Sequence, residues 1–183
     1  MVSMYAIVMI LPPEPLLKEL EDLMVELNLR FHTSKALVYK PHITLKSLGK
    51  IDGYKVKKVH SELEEIADKT KPFIVELNNL RFYGSSKDIP GIYISVERTN
   101  DLFNLHKRVA ISLKKYEDKK DRSYKEMENY NPHITLVADD ITPKELEKAK
   151  KELNTNYSNS FIANYITLLV RKESIFSYSH FRL

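Results

Sequence analysis

Pro41-His42-Ile43-Thr44-Leu45 and, 91 positions later, Pro132-His133-Ile134-Thr135-Leu136 are the same five residues written twice in a chain of 183. Side chains of a β-strand alternate between its faces, so His42 and Thr44 share one face while Ile43 and Leu45 share the other. The second copy divides the same way. Each copy therefore offers an aliphatic pair for a core and a His/Thr pair for a cleft. One His-x-Thr is ordinarily a half-exposed strand edge; two matched copies favour a shared site. An imidazole has an ordinary pKa of about 6.5, so two of them can begin a cycle in opposite protonation states, one as base and one as acid. Cleavage of a phosphoester uses that pairing, with hydroxyls such as Thr44 and Thr135 donating to the non-bridging oxygens.

Outward from the repeat, strands and helices alternate. Tyr5 to Leu11 reads as a buried strand, and the turn Pro12-Pro13-Glu14-Pro15 leads into a helix with Leu16, Leu20, Leu23, Met24 and Leu27 on one face. A linker containing His32 precedes the first motif strand. After it, a helix from about Asp52 carries the stripe Val56, Val59, Leu63 and Ile66. Strands follow from Phe73 to Leu80 and from Gly91 to Val96, separated by the turn-like Tyr83-Gly84-Ser85-Ser86-Lys87-Asp88. The second half repeats this grammar. Asn100 or Asp101 is placed to cap a helix running to about Tyr116, and the second motif strand comes after a charged connection. Thr142-Pro143-Lys144-Glu145 has capping-box spacing, with Leu146, Ala149 and Leu153 as the inner face of the helix it opens. Strands from Phe161 to Val170 and from Ile175 to Phe181 close the chain. The expected fold is α+β, with two antiparallel-rich sheets flanked by helices and no linker that cuts residues 1–183 into separate domains.

Composition narrows the class without naming a function. A hydrophobic fraction of 43% and a charged fraction of 30% are ordinary globular usage. The absence of cysteine excludes disulfides, thiolate nucleophiles and cysteine metal sites, and agrees with a cytoplasmic location. No apolar run is long enough to span a bilayer, and the short apolar N-terminal stretch lacks a basic segment ahead of it, so it reads as a strand. A net charge of +4 permits an anionic ligand but does not demand one.

The motifs, the opening strand with its Leu-Pro-Pro-Glu turn, the run His42-Ile43-Thr44-Leu45-Lys46-Ser47-Leu48-Gly49 and the terminal strands together resemble the 2H phosphoesterases. That family includes the 2′-5′ RNA ligase and RNA 2′,3′-cyclic phosphodiesterase proteins. The resemblance implies one domain of two interleaved lobes, a bilobal pseudo-twofold duplication with one His-x-Thr motif per lobe facing a common cleft. It makes His42, Thr44, His133 and Thr135 the catalytic quartet and implies no metal or other cofactor. It further implies that His133 activates water while His42 protonates the departing ribose oxygen. The expected substrate is an RNA 2′,3′-cyclic phosphate end or a small cyclic nucleotide, hydrolysed to a 2′-phosphate, with 2′-5′ joining as the reverse reaction. No membrane is expected as partner, and a monomer is expected. One departure stands out: Val137-Ala138-Asp139-Asp140 follows the second motif where a basic residue is common, and acidic neighbours disfavour a long polyanion.

Lys46 falls on the face of His42 and Thr44 by simple alternation, so it is a candidate phosphate ligand or a lysine at the cleft rim. Lys114 to Tyr130 mixes eleven charged residues with Tyr116, Tyr124 and Tyr130. It reads as a solvated loop or as a cover whose tyrosines, Tyr124 and Tyr130 above all, stack on a base. Phe82 and Tyr83 are stacking candidates or core closers. His106 and His60 lie on apolar helix faces as packing residues, while His32 and His180 have no evident role. Two other classes remain open: a catalytically idle RNA-binding relative, and a metal-dependent hydrolase that uses the same histidines.

Overall fold

Apolar runs in this chain are of two kinds, alternating and continuous, and the difference reports whether one face of a strand is covered or both. The computed structural model describes residues 4–84, 90–118 and 129–183. In chain order it contains β1 (Met4–Ile10), α1 (Leu16–Arg30), β2 (Ile43–Ile51), α2 (Gly53–Asp68), β3 (Phe73–Tyr83), β4 (Gly91–Val96), α3 (Asn100–Leu113), β5 (His133–Val137), α4 (Pro143–Glu152), β6 (Asn159–Ala163), β7 (Tyr165–Lys172) and β8 (Ile175–Arg182). Val8, Met9 and Ile10 of β1 and Ile166 to Leu169 of β7 are buried on both faces. β3 instead alternates strictly at its start, with Phe73, Val75 and Leu77 buried and Ile74 and Glu76 exposed.

The α+β fold expected from the sequence is present, and its two sheets prove to be continuous. All described strands belong to one antiparallel sheet of order β6-β3-β4-β5-β2-β1-β7-β8. The halves meet where β2 pairs with β5 through Ile43 and Ile134. The order β-α-β-α occurs twice, as β1-α1-β2-α2 and β4-α3-β5-α4, and each copy delivers its motif strand to this central seam. Helix α1 packs on β5, α3 on β2, and α2 on β7 and β8. Their apolar stripes, including Leu20 and Leu27, Leu63, and Leu105 and Val109, close over Ile43 and Ile134 in one continuous core. Among the described residues no helix is long and apolar enough to cross a membrane.

Local chemistry explains the helix starts. Asp52 caps α2 by accepting from the Lys55 backbone N–H at 2.9 Å. Thr142 caps α4 by accepting from Glu145 N–H, with Pro143 at the first helical position. Helix α3 is capped by Thr99 rather than by Asn100 or Asp101, and it ends at Leu113 in a 3₁₀ turn over Lys114–Tyr116. The apolar run read as one strand from Phe161 to Val170 is two. β6 pairs with β3 and β7 with β1, with Asn164 between them, so consecutive residues serve opposite halves of the sheet. Tyr124 and the turn residues Ser85 to Asp88 lie outside the described residues.

Replacing Leu63, which has no exposed surface, by Ala removes contacts from the centre of this core. Urea unfolding should show a loss of about 2–5 kcal/mol. The same truncation at Leu29, which is 71% exposed, should stay within about 0.5 kcal/mol of the parent.

Candidate active site

The β2–β5 seam sets the geometry of the repeated motif. Ile43 and Ile134 face each other on antiparallel strands and point into the helix-covered core. One step outward along the two strands, His42 comes level with Thr135 and Thr44 with His133. Each histidine thus has a threonine opposite it and another two residues along its own strand. The two histidines are diagonal neighbours, which on such a ladder lie about 7–8 Å apart, with Cβ atoms somewhat closer. The polar quartet occupies the sheet face away from the core, and each member is half-buried.

Both imidazoles are held by the same device. His42 Nδ1 donates to the Lys40 carbonyl at 2.7 Å, and His133 Nδ1 donates to the Asn131 carbonyl at 2.7 Å. A carbonyl only accepts, so Nδ1 carries the proton in both rings and Nε2 is the nitrogen left to gain or lose one. Crowding by surrounding protein pushes the His42 pKa down. The Lys40 carbonyl opposes this, and the nearby His133 ring adds to the lowering.

Aromatic side chains flank the quartet at both ends. Tyr93 meets the His133 ring edge-on at 5.3 Å, and Tyr83 lies 6.4 Å from it, on the side of Thr135. Burial raises the Tyr83 pKa, which keeps the phenol a neutral hydrogen-bonding group. Gly91 pairs with Tyr83 across β3 and β4, and a Cβ at that position would overlap the tyrosine ring. The missing side chain is what lets Tyr83 fold over toward Thr135. Beside His42, a cavity of about 370 Å³ is lined by Tyr39, Lys35, Lys40, Arg171, Thr135 and Met24, among others. Arg171 donates to the Tyr39 hydroxyl at 2.9 Å and its guanidinium packs on the rings of Tyr5 and Tyr39. Sequence reading missed Arg171, Tyr39 and Tyr93. Tyr39 had a signal, since it stands three residues before His42 as Tyr130 stands before His133.

Two other expected site residues sit elsewhere. Lys46 is only 2% exposed and pairs with Glu117 instead of facing the cleft. The reason is a β-bulge: β1 pairs Met9 with Thr44 and Val8 with Lys46, so Leu45 is an extra residue and the alternation resets. Lys46 thereby shares the face of Val8 and Ile43, opposite that of Thr44. Tyr130 is 4% exposed and lies flat on His106 at 3.7 Å, so it closes the core instead of offering a stacking surface. The acidic pair after the second motif is also engaged. Asp140 accepts from the backbone N–H groups of Ser34 and Lys35, and Asp139 pairs with Lys35. Burial alone would raise the Asp140 pKa, but these donors hold it below the usual carboxylate range. Among the described residues no three His, Asp or Glu side chains converge as a metal-binding group.

Known proteins share this architecture. Residues 12–174 match the 2′-5′ RNA ligase superfamily. A Geobacillus kaustophilus protein named for phosphoesterase activity is 30% identical over 106 residues, a segment that is 58% of this chain and 57% of that protein. Escherichia coli LigT complexed with 3′-AMP superposes with a TM-score of 0.61 at 15% identity, covering 100% of this chain and 96% of LigT. The Thermus thermophilus protein TT0787 gives 0.63 at 14% identity, covering 96% of this chain and 94% of that one. These two likenesses establish the fold. The superfamily match runs through both motif strands and most of the chain, and this protein therefore belongs to the 2′-5′ RNA ligase superfamily.

Proposed function

We propose that this protein hydrolyses RNA 2′,3′-cyclic phosphate ends or small cyclic nucleotides to 2′-phosphates, with His42 and His133 as a metal-independent acid–base pair. The observation that supports the reading is the matched anchoring of the two rings through Nδ1, which leaves Nε2 of each as the nitrogen that can exchange a proton. In this reading Thr44 and Thr135, interleaved with the histidines, donate to the non-bridging oxygens as charge builds on them. Following the roles that the family resemblance implies, His133 Nε2 takes a proton from water as its oxygen bonds to phosphorus. The bond from phosphorus to the ribose 3′-oxygen breaks, and His42 Nε2 delivers a proton to that oxygen. A 5′-hydroxyl in place of water yields a 2′-5′ link through the same arrangement.

The depressed pKa of His42 fits this cycle once substrate is counted. An acid must be charged, and burial together with the second ring disfavours charge on His42. A phosphate anion between the rings reverses that bias, so the acid is armed by the substrate it serves. The cavity beside His42 has the volume and lining for one nucleoside unit, with Tyr39 as an aromatic wall and Arg171 and Lys40 as cations. Engagement of Asp139 and Asp140 within the protein reduces their repulsion toward a nucleotide phosphate.

A panel of 2′,3′-cyclic nucleotides and cyclic-ended oligonucleotides, assayed in EDTA with the product's regiochemistry resolved, tests the proposal. Turnover to 2′-phosphates is expected. His42→Ala and His133→Ala should each lower kcat by about 10²–10⁴-fold. The double variant should be little worse, because the pair acts as a unit. Thr44→Val and Thr135→Val should each cost about 10²–10³-fold in kcat. Loss of activity on chelation with recovery on adding a divalent ion would establish the metal-dependent reading instead, and salt-sensitive RNA binding without turnover the idle one.

NMR titration of the His42 ring should place its pKa below the ordinary 6.5. In His133→Ala it should rise only part of the way back, because burial is the larger cause. Inorganic phosphate should raise it further. A His42 ring that titrates normally in the parent protein contradicts the description of the groove.

A further inference from the structure

The bulge that displaces Lys46 from the cleft occurs twice. In β5, Thr135 pairs with Tyr93 and Val137 with Ile92, so Leu136 is the extra residue, as Leu45 is in β2. Both bulges fall on the last residue of the repeated pentapeptide, one position beyond the threonine. A bulge leaves its extra residue out of the ladder, and Leu45 and Leu136 are both fully buried, so their carbonyls need partners that water cannot supply.

Both carbonyls are met by a buried polar side chain, and in each case it comes from the other copy of the motif unit. His106 of α3 donates through Nδ1 to the Leu45 carbonyl at 2.8 Å. Asn28 of α1 donates through Nδ2 to the Leu136 carbonyl at 2.7 Å. Neither side chain has exposed surface, although both helices otherwise turn leucine, methionine and valine to the core. Each is itself braced. Asn28 also donates to the Met24 carbonyl and accepts from the Thr33 hydroxyl, both at 2.7 Å. His106 lies flat on Tyr130, whose hydroxyl donates to the Thr44 carbonyl at 3.1 Å, so the stacked pair grips two successive carbonyls of the first motif.

We infer that Asn28 and His106 are crossed positioning residues: α3 fixes the strand that carries His42, and α1 fixes the strand that carries His133. The bulge is what allows Thr44 to face the groove while Lys46 faces the core. A one-residue slip that removed it would turn one set or the other to the wrong face. The anchoring donors pin the register next to the catalytic pair without touching substrate. Crossing also ties the two halves of the sheet together, since each motif strand is held by the helix of the opposite unit. The catalytic consequence rests on the reading of the site given above, whereas the structural claim does not.

The test uses the ring signals of His42 and His133 in full-length protein without substrate, together with kcat and KM on a 2′,3′-cyclic nucleotide. His106→Phe retains a ring against Tyr130 and lacks the N–H; His106→Asn retains an N–H near Nδ1 and lacks the ring. His106→Phe should shift the His42 ring signals and leave those of His133 in place, while Asn28→Leu should do the reverse. Each should lower kcat about 10–100-fold, as expected for a small misplacement of reacting groups, with KM changing less than about threefold. His106→Asn should restore most of the His42 spectrum and of kcat, and it decides the matter if His106→Phe does not fold. Equal effects of Phe and Asn at position 106, or shifts that fail to sort by strand in the folded variants, would overturn the inference. Strand-sorted shifts in a protein that turns over no cyclic phosphate would sustain the positioning role and remove the proposed activity.

Discussion

The structure depends on a single antiparallel pair. Ile43 and Ile134 join two four-stranded halves that otherwise have their own ladders, and one pair is a weak hydrogen-bonded joint. What secures it is burial on the helix side, where both isoleucines lie fully covered, and the crossing of α1 onto β5 and of α3 onto β2. Apolar burial is non-directional and scales with area, so it can close a seam that backbone bonding barely defines. Register comes from a different source. It is set by the directional contacts of the bulged carbonyls.

That division of labour suits the acid–base site we propose. In the proposed reaction, proton exchange with the attacking and leaving oxygens around one phosphorus needs two nitrogens held within a fraction of an ångström, and strands hold side chains more firmly than loops do. Here His42 immediately precedes β2 and His133 opens the adjacent β5, each ring oriented by a backbone carbonyl two residues upstream. The flanks of the groove differ although the motifs match. Tyr39 and Arg171 make an aromatic and cationic wall beside His42, while Tyr83 and Tyr93 crowd His133. Under the proposed function, a near-symmetric centre with unlike flanks suits a substrate whose two sides are unlike, such as a ribose on one side of phosphorus and water on the other.

Much of this is legible in the amino-acid sequence. His42, Thr44, His133 and Thr135 could be put on one face because period-two alternation holds across His-Ile-Thr, and the repeat marked the two stretches as equivalent. Lys46 could not be placed by the same rule, because the rule fails one residue later at a bulge that leaves no mark in residue type. Tyr39 and Tyr130 occupy equivalent positions, yet one lines the cavity and the other is stacked in the core. The difference lies in what packs nearby: Arg171 and Phe176 beside the first, His106 beside the second. The strand read from Phe161 to Val170 was split for a similar reason, since an unbroken apolar run does not say which neighbour each part will find.

The amino-acid sequence by itself determined the chemistry available to this protein, namely two imidazoles and two hydroxyls in matched strands, together with the alternating elements that carry them. Those features are local, and local periodicity and side-chain chemistry are enough to read them. Tertiary structure alone decided that the two strands are neighbours, that Lys46 turns inward, that Arg171 arrives from a distant strand, and that Asn28 and His106 brace each other's half. Each of these depends on contacts between residues far apart in the chain, where register and burial are settled by which surfaces meet.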